Sequence, residues 1–180
     1  MRNIYFVTGS DNKYAEALAY IPGLKRQVID LPEIQSLDPE EVIVAKLMAA
    51  RAQTDAAIMV EDTSLSLRGL NGLPGPLVKW FLKSLGGPEG IYDLANRYYD
   101  WAAMATTVIG YMDENDDIKT FRGDIEGTIV HPRGDQNFSW DTIFQPEDYA
   151  KTFAEMTIEQ KNRISHRAIA LKKFAEYLRG

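Results

Sequence analysis

Ile58-Met59-Val60-Glu61-Asp62-Thr63-Ser64-Leu65-Ser66-Leu67-Arg68-Gly69-Leu70-Asn71-Gly72-Leu73-Pro74-Gly75-Pro76-Leu77-Val78-Lys79-Trp80 is the stretch around which the chain is organised. Its apolar opening, Ile58 to Val60, reads as the end of a buried strand. Two carboxylates, Glu61 and Asp62, follow at once. Strand neighbours point to opposite faces, so only one of the two can face a given cleft. The hydroxyls of Thr63 and Ser64 come next, and the segment then turns through Gly69, Gly72 and Gly75 with Pro74 and Pro76. Carboxylates at the C-terminal end of a strand suit Mg²⁺, which takes oxygen ligands and keeps several waters. The glycines let backbone approach a ligand, and Lys79 offers a positive charge to phosphate. Taken alone, the same residues equally describe a strand end, a solvated acidic pair and a flexible loop.

Working outward, strands and helices alternate in the first half of the chain. Residues 3–8 predict a buried strand, and a helix follows over 13–20. Between them Thr8-Gly9-Ser10-Asp11-Asn12-Lys13 forms a hydroxyl-glycine turn, which aims free backbone N–H groups at an anion. Lys13 stands in the first helical turn, the wrong end for a cation, and this also suggests an anionic partner. Val28 to Leu31 predicts a second strand that leaves Glu33 near the same sheet edge. Asp38, Pro39 and Glu41 predict a helix start with N-cap, N1 proline and a capping-box-like pair. Val42, Ala45, Ala49 and Ala52, with Met48 beside them, read as that helix's apolar face, and Lys46 as its flank towards the cleft.

A helix from near Pro76 is broken by Gly86-Gly87-Pro88, and a second follows over 89–99. Its Tyr92, Leu94, Tyr98 and Tyr99 read as core or subunit-contact residues. Ala105 to Met112, Ile118 to Phe121 and Ile125 to Val130 read as strands, with Gly123 and Gly127 marking bulges or close approach. The acidic run 113–117 lacks calcium-loop spacing and reads as a solvated hairpin tip. In Phe138-Ser139-Trp140-Asp141, aromatics beside a carboxylate can orient a planar base, although packing explains them equally well. Ser165 reads as the N-cap of a last helix that carries His166 and Arg167 in its first turn.

Composition narrows the classes. At 180 residues the chain predicts one domain, residues 1–180. A net charge of −6 argues against a protein that coats nucleic acid or an anionic membrane, yet allows a local basic pocket for a small anion. With no cysteine there is no disulfide, thiol nucleophile or thiolate zinc site, and two histidines are too few for a histidine-rich one. The chain shows neither a signal-peptide layout nor a membrane-spanning run, so a cytoplasmic protein is expected.

Together the motifs resemble one family. Thr8 to Lys13, Val60-Glu61-Asp62-Thr63-Ser64-Leu65, Gly72-Leu73-Pro74-Gly75-Pro76, Lys79-Trp80-Phe81, Phe138 to Asp141 and Ser165-His166-Arg167-Ala168 occur in the order and spacing of the inosine triphosphate pyrophosphatases, the Ham1-like family. The resemblance covers essentially the whole chain. It implies an elongated α/β protein with a long mixed sheet and a cleft between two lobes. It further implies a homodimer, dependence on Mg²⁺, and hydrolysis of inosine, deoxyinosine and xanthosine triphosphates to monophosphate and pyrophosphate. By the same resemblance Thr8, Gly9, Ser10, Asn12, Lys13, Lys46, Thr63 and Lys79 bind the triphosphate, while Asp62 and Glu33 hold the metal and Asp62 is catalytic. Phe138, Ser139, Trp140, Asp141, Lys161, His166 and Arg167 receive the base, and Glu61 faces away or stands behind the site. Ser10 and Ser139 depart from the family's usual Asn and Gly. The alternatives are a nucleotide pyrophosphatase of other base specificity and a nucleotide-binding regulator without hydrolysis.

Overall fold

The computed structural model describes residues 3–135 and 139–180. Among these residues seven strands form one open mixed sheet flanked by six α-helices, as the α/β expectation requires. β1 (Ile4–Val7) lies parallel to β2 (Lys25–Gln27) on one side and to β3 (Ala57–Leu67) on the other. The two-residue β4 (Pro74–Gly75) pairs antiparallel with β3. β5 (Ala102–Met112), β6 (Ile118–Ile129) and β7 (Phe144–Pro146) continue the sheet antiparallel on the far side of β3. Among the described residues no helix is long and apolar enough to cross a membrane.

The carboxylates Glu61 and Asp62 sit in the middle of β3 rather than at the end of a strand, because the β-branched and apolar residues after them carry the pairing with β5 on to Leu67. The other edge of β3 is covered only in part. β1 pairs with it as far as Phe6 against Met59, and β4 takes over at Leu65 against Gly75. Among the described residues, Val60 to Ser64 have no strand partner on that edge. A sheet edge left open where neighbouring connections diverge is where α/β folds bind ligands.

Helix α1 (Asp11–Tyr20) starts two residues before the sequence indicates, because Ser10 caps it by accepting from the Lys13 N–H at 3.3 Å. Residues 28–31 are not a strand: β2 ends at Gln27, Val28 is 69% exposed, and Ile29 and Leu31 pack from a loop. α2 (Pro39–Arg51) begins as expected at Asp38 and Pro39, but Glu41 accepts from the Ser36 hydroxyl rather than closing a capping box. Its buried face is Val42, Ile43, Lys46, Leu47 and Ala50, while Met48 is exposed. α3 (Val78–Ser84) and α4 (Pro88–Tyr98) follow β4, and α4 buries Ile91 and Ala95, leaving Tyr98 and Tyr99 exposed. α5 (Ile158–Ile164) leads into α6 (His166–Tyr177), which buries Ala168, Ala170, Leu171, Phe174 and Ala175.

Alternation along β3 sorts the core. Met59 joins α1 and α6 in one cluster with Phe6, Tyr111 and Phe174, whereas Ile58 and Val60 meet Ile43 and Leu47 of α2 on the opposite face. A third cluster, with Leu65, Leu67, Ile91, Trp140, Phe144 and Phe153, occupies the other end of the strand. β6 is one continuous strand without a bulge, so Gly123 and Gly127 are close-approach positions. A Cβ on Gly123 would stand 2.1 Å from the His166 carbonyl oxygen and 2.7 Å from the Ala170 nitrogen. Gly123 thereby lets the start of α6 lie directly on the sheet. Gly123→Ala must push α6 outward and is expected to cost about 1–3 kcal/mol, as overpacking does. Denaturant unfolding checks it, and an unchanged midpoint would contradict this account of the contact.

Candidate active site

The cleft forms at the open edge of β3 and takes residues from both faces of the sheet. Lys13, Glu33, Lys46, Asp62, Thr63 and Lys79 line one part of it, and Ser139, Trp140, Asp141, Lys161, His166 and Arg167 the other. Thr8, Gly9, Ser10 and Asn12 do not line it. They build the turn ahead of α1, where the Thr8 hydroxyl accepts from the Ser10 N–H at 3.1 Å and the Arg26 guanidinium donates to the Thr8 carbonyl at 3.0 Å. Ser10 spends an acceptor lone pair on its cap and keeps a hydroxyl proton to donate. Phe138 lies outside the described residues.

The two faces of β3 carry separate charge networks. Asp62 points towards α2, where Lys46 donates to Oδ1 at 2.6 Å. Glu33 stands 3.8 Å from the same ammonium and 3.1 Å from Lys79. Burial raises the Asp62 carboxyl above the usual carboxylate range, with Lys46 offsetting only part of the effect. Asp62 Oδ2 is buried without a hydrogen-bond partner. Such an acceptor costs free energy until a ligand, a water or a cation satisfies it.

Glu61 points to the opposite face and is fully buried. It accepts from Arg167 Nε at 3.0 and 3.2 Å and from the Thr63 hydroxyl at 3.1 Å, and it pairs with Lys13 at 3.1 Å. Arg167 also donates to Glu16 at 3.0 Å. Burial opposes the charge on Glu61, but the adjacent Arg167 and Lys13 outweigh it and hold the carboxyl down at about 2. The expectation that Glu61 faces away from the cleft is met, and its partners explain the two cations placed in first helical turns. The anion beside Lys13 and Arg167 is a side chain of the chain itself.

At the other end, Asp141 is buried and accepts from Lys161; burial raises its carboxyl and Lys161 only partly offsets the shift. Ser165 caps α6 by accepting from the Ala168 N–H at 3.1 Å. Burial, reinforced by Arg167 and Lys161, holds His166 well below its ordinary value, so the imidazole is neutral near pH 7. Its Nδ1 is buried without a partner, and its ring lies 5.3 Å from that of Trp140. Trp140 is only 3% exposed and packs on Phe144 and Phe153, so it is core as well as lining. Ser139 has φ of 55°, a left-handed conformation that favours glycine, and this accounts for the residue the family usually places there.

Two features escaped the sequence reading. Glu16 is one, although its place three residues after Lys13 puts both on one face of α1. The apolar lining from Ile34, Val42 and Trp80 is the other.

Cations and carboxylates thus gather at the open sheet edge of an α/β fold, with a neutral buried imidazole beside them. The chain belongs to the Ham1 family, whose model matches residues 4–177. It is similar to the Staphylococcus aureus Ham1 protein, with 26% identity, a TM-score of 0.85 and 99% of both chains covered. Similarity to a HAM1 protein from Coxiella burnetii is of the same order, with 27% identity, a TM-score of 0.85 and 99% of both chains. A nucleoside-triphosphatase / dITP/XTP pyrophosphatase from Mycobacterium abscessus shares the fold, with a TM-score of 0.74 over 96% of this chain and 98% of that one at 22% identity. The pyrophosphatase class expected from the motifs stands with this membership.

Removing Arg167 leaves Glu61 buried with less compensation, and breaking a buried pair typically costs about 3–5 kcal/mol. Arg167→Ala should therefore lower unfolding stability by a few kcal/mol, whereas Lys79→Ala, which breaks a largely exposed pair, should change it by less than about 1 kcal/mol. Chemical denaturation of the two variants side by side measures the contrast, and equal effects would contradict it.

Proposed function

We propose that the chain hydrolyses deaminated purine nucleoside triphosphates, those of inosine, deoxyinosine and xanthosine, to the monophosphate and pyrophosphate. The observation that carries this reading is one cleft with lysines and carboxylates at one end and Asp141, Lys161, His166 and Arg167 at the other. That layout suits a nucleotide, with phosphates against Lys13, Lys46 and Lys79 and the base at the other end. The M. abscessus protein that shares this fold is a dITP/XTP pyrophosphatase, which agrees with this substrate class.

The residues fit a divalent cation. Among the described residues no three histidines or carboxylates form a cage, but Mg²⁺ commonly takes one or two carboxylates and completes its shell with waters and substrate phosphates. Asp62, with its buried unpartnered Oδ2, and Glu33 across Lys46 are the two that would hold it. Bound there, the metal would supply charge neutralisation for the phosphates and a Lewis acid for the attacked phosphoryl group.

The chain's own residues do the rest. Water attacks the α-phosphorus and gives its proton to the Asp62 carboxylate, and the bond from phosphorus to the bridging oxygen breaks to release pyrophosphate. A carboxylate whose proton affinity burial has raised is suited to that transfer. The lysines hold the β and γ phosphates as the leaving group. Hypoxanthine and xanthine present a carbonyl oxygen at position 6 where adenine presents an amine, and donors at the base end donate to the first and oppose the second. A mispaired buried group costs about 1–3 kcal/mol, enough for selection. The reading also includes one folded unit of two lobes, a cytoplasmic setting and a homodimer, for which the exposed Tyr98 and Tyr99 offer contact surface.

With Mg²⁺ and a panel of nucleoside triphosphates, one pyrophosphate should be released per inosine triphosphate, with far less from adenosine triphosphate. Orthophosphate as the first product, or binding without turnover, would refute the proposal. Asp62→Asn should lower kcat by several orders of magnitude while the protein stays folded by circular dichroism. Near-normal turnover in that variant would remove Asp62 from the mechanism.

A further inference from the structure

Four charged side chains are linked in a row from Lys13 through Glu61 and Arg167 to Glu16, and the chemistry above leaves the two carboxylates of that row unused. Lys13 and Glu16 project from one face of α1, Glu61 from β3 and Arg167 from α6. Glu61 holds Lys13 at 3.1 Å and Arg167 at 3.0 Å, and Arg167 reaches back to Glu16 at 3.0 Å. Glu61 does not line the cleft, although both of its cations do. One of those cations stands at the phosphate end and the other at the base end.

From this geometry we propose that Glu61 is a positioning residue that couples the two ends of the substrate site, so that capture of the base by Arg167 sets the placement of Lys13 on the phosphates. The inference rests on the nucleotide reading given above. One carboxylate shares its two oxygens between both cations. When a 6-oxo base draws on the Arg167 guanidinium, the share of Glu61 charge available to Lys13 changes. A base that presents an amine to Arg167 does not draw on it, and Lys13 keeps its ligand-free partner. Selection then acts on the catalytic step as well as on binding. Coupling of this kind requires a physical element biased by both sites, and Glu61 is the group that touches both.

The test is Glu61→Gln, which keeps the volume but removes the charge and replaces one of the two acceptor oxygens with an amide donor. kcat and KM are measured for inosine and adenosine triphosphates in the wild type and the variant. The ratio of kcat/KM between the two nucleotides should fall at least tenfold, with the loss in kcat for inosine triphosphate rather than in its KM. Glu61→Asp, one methylene too short to hold both cations at once, should lower the same ratio and serves if the glutamine variant does not fold. A folded variant in which both nucleotides lose activity in equal proportion would overturn the coupling and leave Glu61 a packing residue. An unchanged ratio would overturn it too. Wild-type protein that cleaves neither nucleotide would instead remove the functional reading, and the coupling with it.

Discussion

Two neighbouring carboxylates in one buried strand cannot share a face, and the site is arranged around that constraint. β3 sends Asp62 towards α2 and Glu61 towards α1 and α6, and each carboxylate needs its own cation to be tolerated there. Lys46 answers the first, while Lys13 and Arg167 answer the second. These demands fix the angular setting of three helices on the sheet. The two carboxylates differ accordingly: Glu61 is saturated and held ionised, whereas Asp62 keeps an unpartnered oxygen and a raised proton affinity. One strand thereby carries a saturated carboxylate and an unsaturated one at adjacent positions.

Much of this is legible from local chemistry. Asp38 with Pro39, and Ser165 before Ala168, announce their helices because capping depends on a few consecutive residues. The family motifs gather most of the cleft residues for the same reason: each is a short block with its own backbone requirement. What the sequence hides is set by partners far along the chain. Val28 to Leu31 has strand composition, but β1, the strand that pairs with β2, ends at Val7 opposite Gln27, so the segment packs as loop. β3 looks finished at Val60 because two charges follow, and only the pairing with β5 and the distant counter-ions let it continue. Gly123 reads as a bulge or a contact until α6, more than forty residues on, is laid across it.

An acidic protein that receives a polyanion has to concentrate its positive charge. Net charge is −6, yet Lys13, Lys46, Lys79, Lys161 and Arg167 all line one cleft. Near neutrality His166 adds no charge, because burial and its cationic neighbours keep it neutral. The cations in turn are moored to carboxylates: Lys13 to Glu61, Lys46 to Asp62, Lys79 to Glu33 and Lys161 to Asp141. Phosphate arriving there exchanges one set of anions for another and meets side chains already held in place, which lowers the ordering cost of binding.

The uncovered edge of β3 from Val60 to Ser64 also bears on how the protein keeps to itself in a crowded solution. A bare strand edge is a template for pairing with another copy, and proteins protect such edges with charge, shortness or a covering element. Here the edge is brief, β1 and β4 close it on either side, and charged side chains crowd around it. The groups that make the cleft attractive to a nucleotide are the same ones that make it unattractive to a neighbouring strand. Solubility and ligand capture are thus served by one set of side chains, and a change that strips charge from the cleft acts on both.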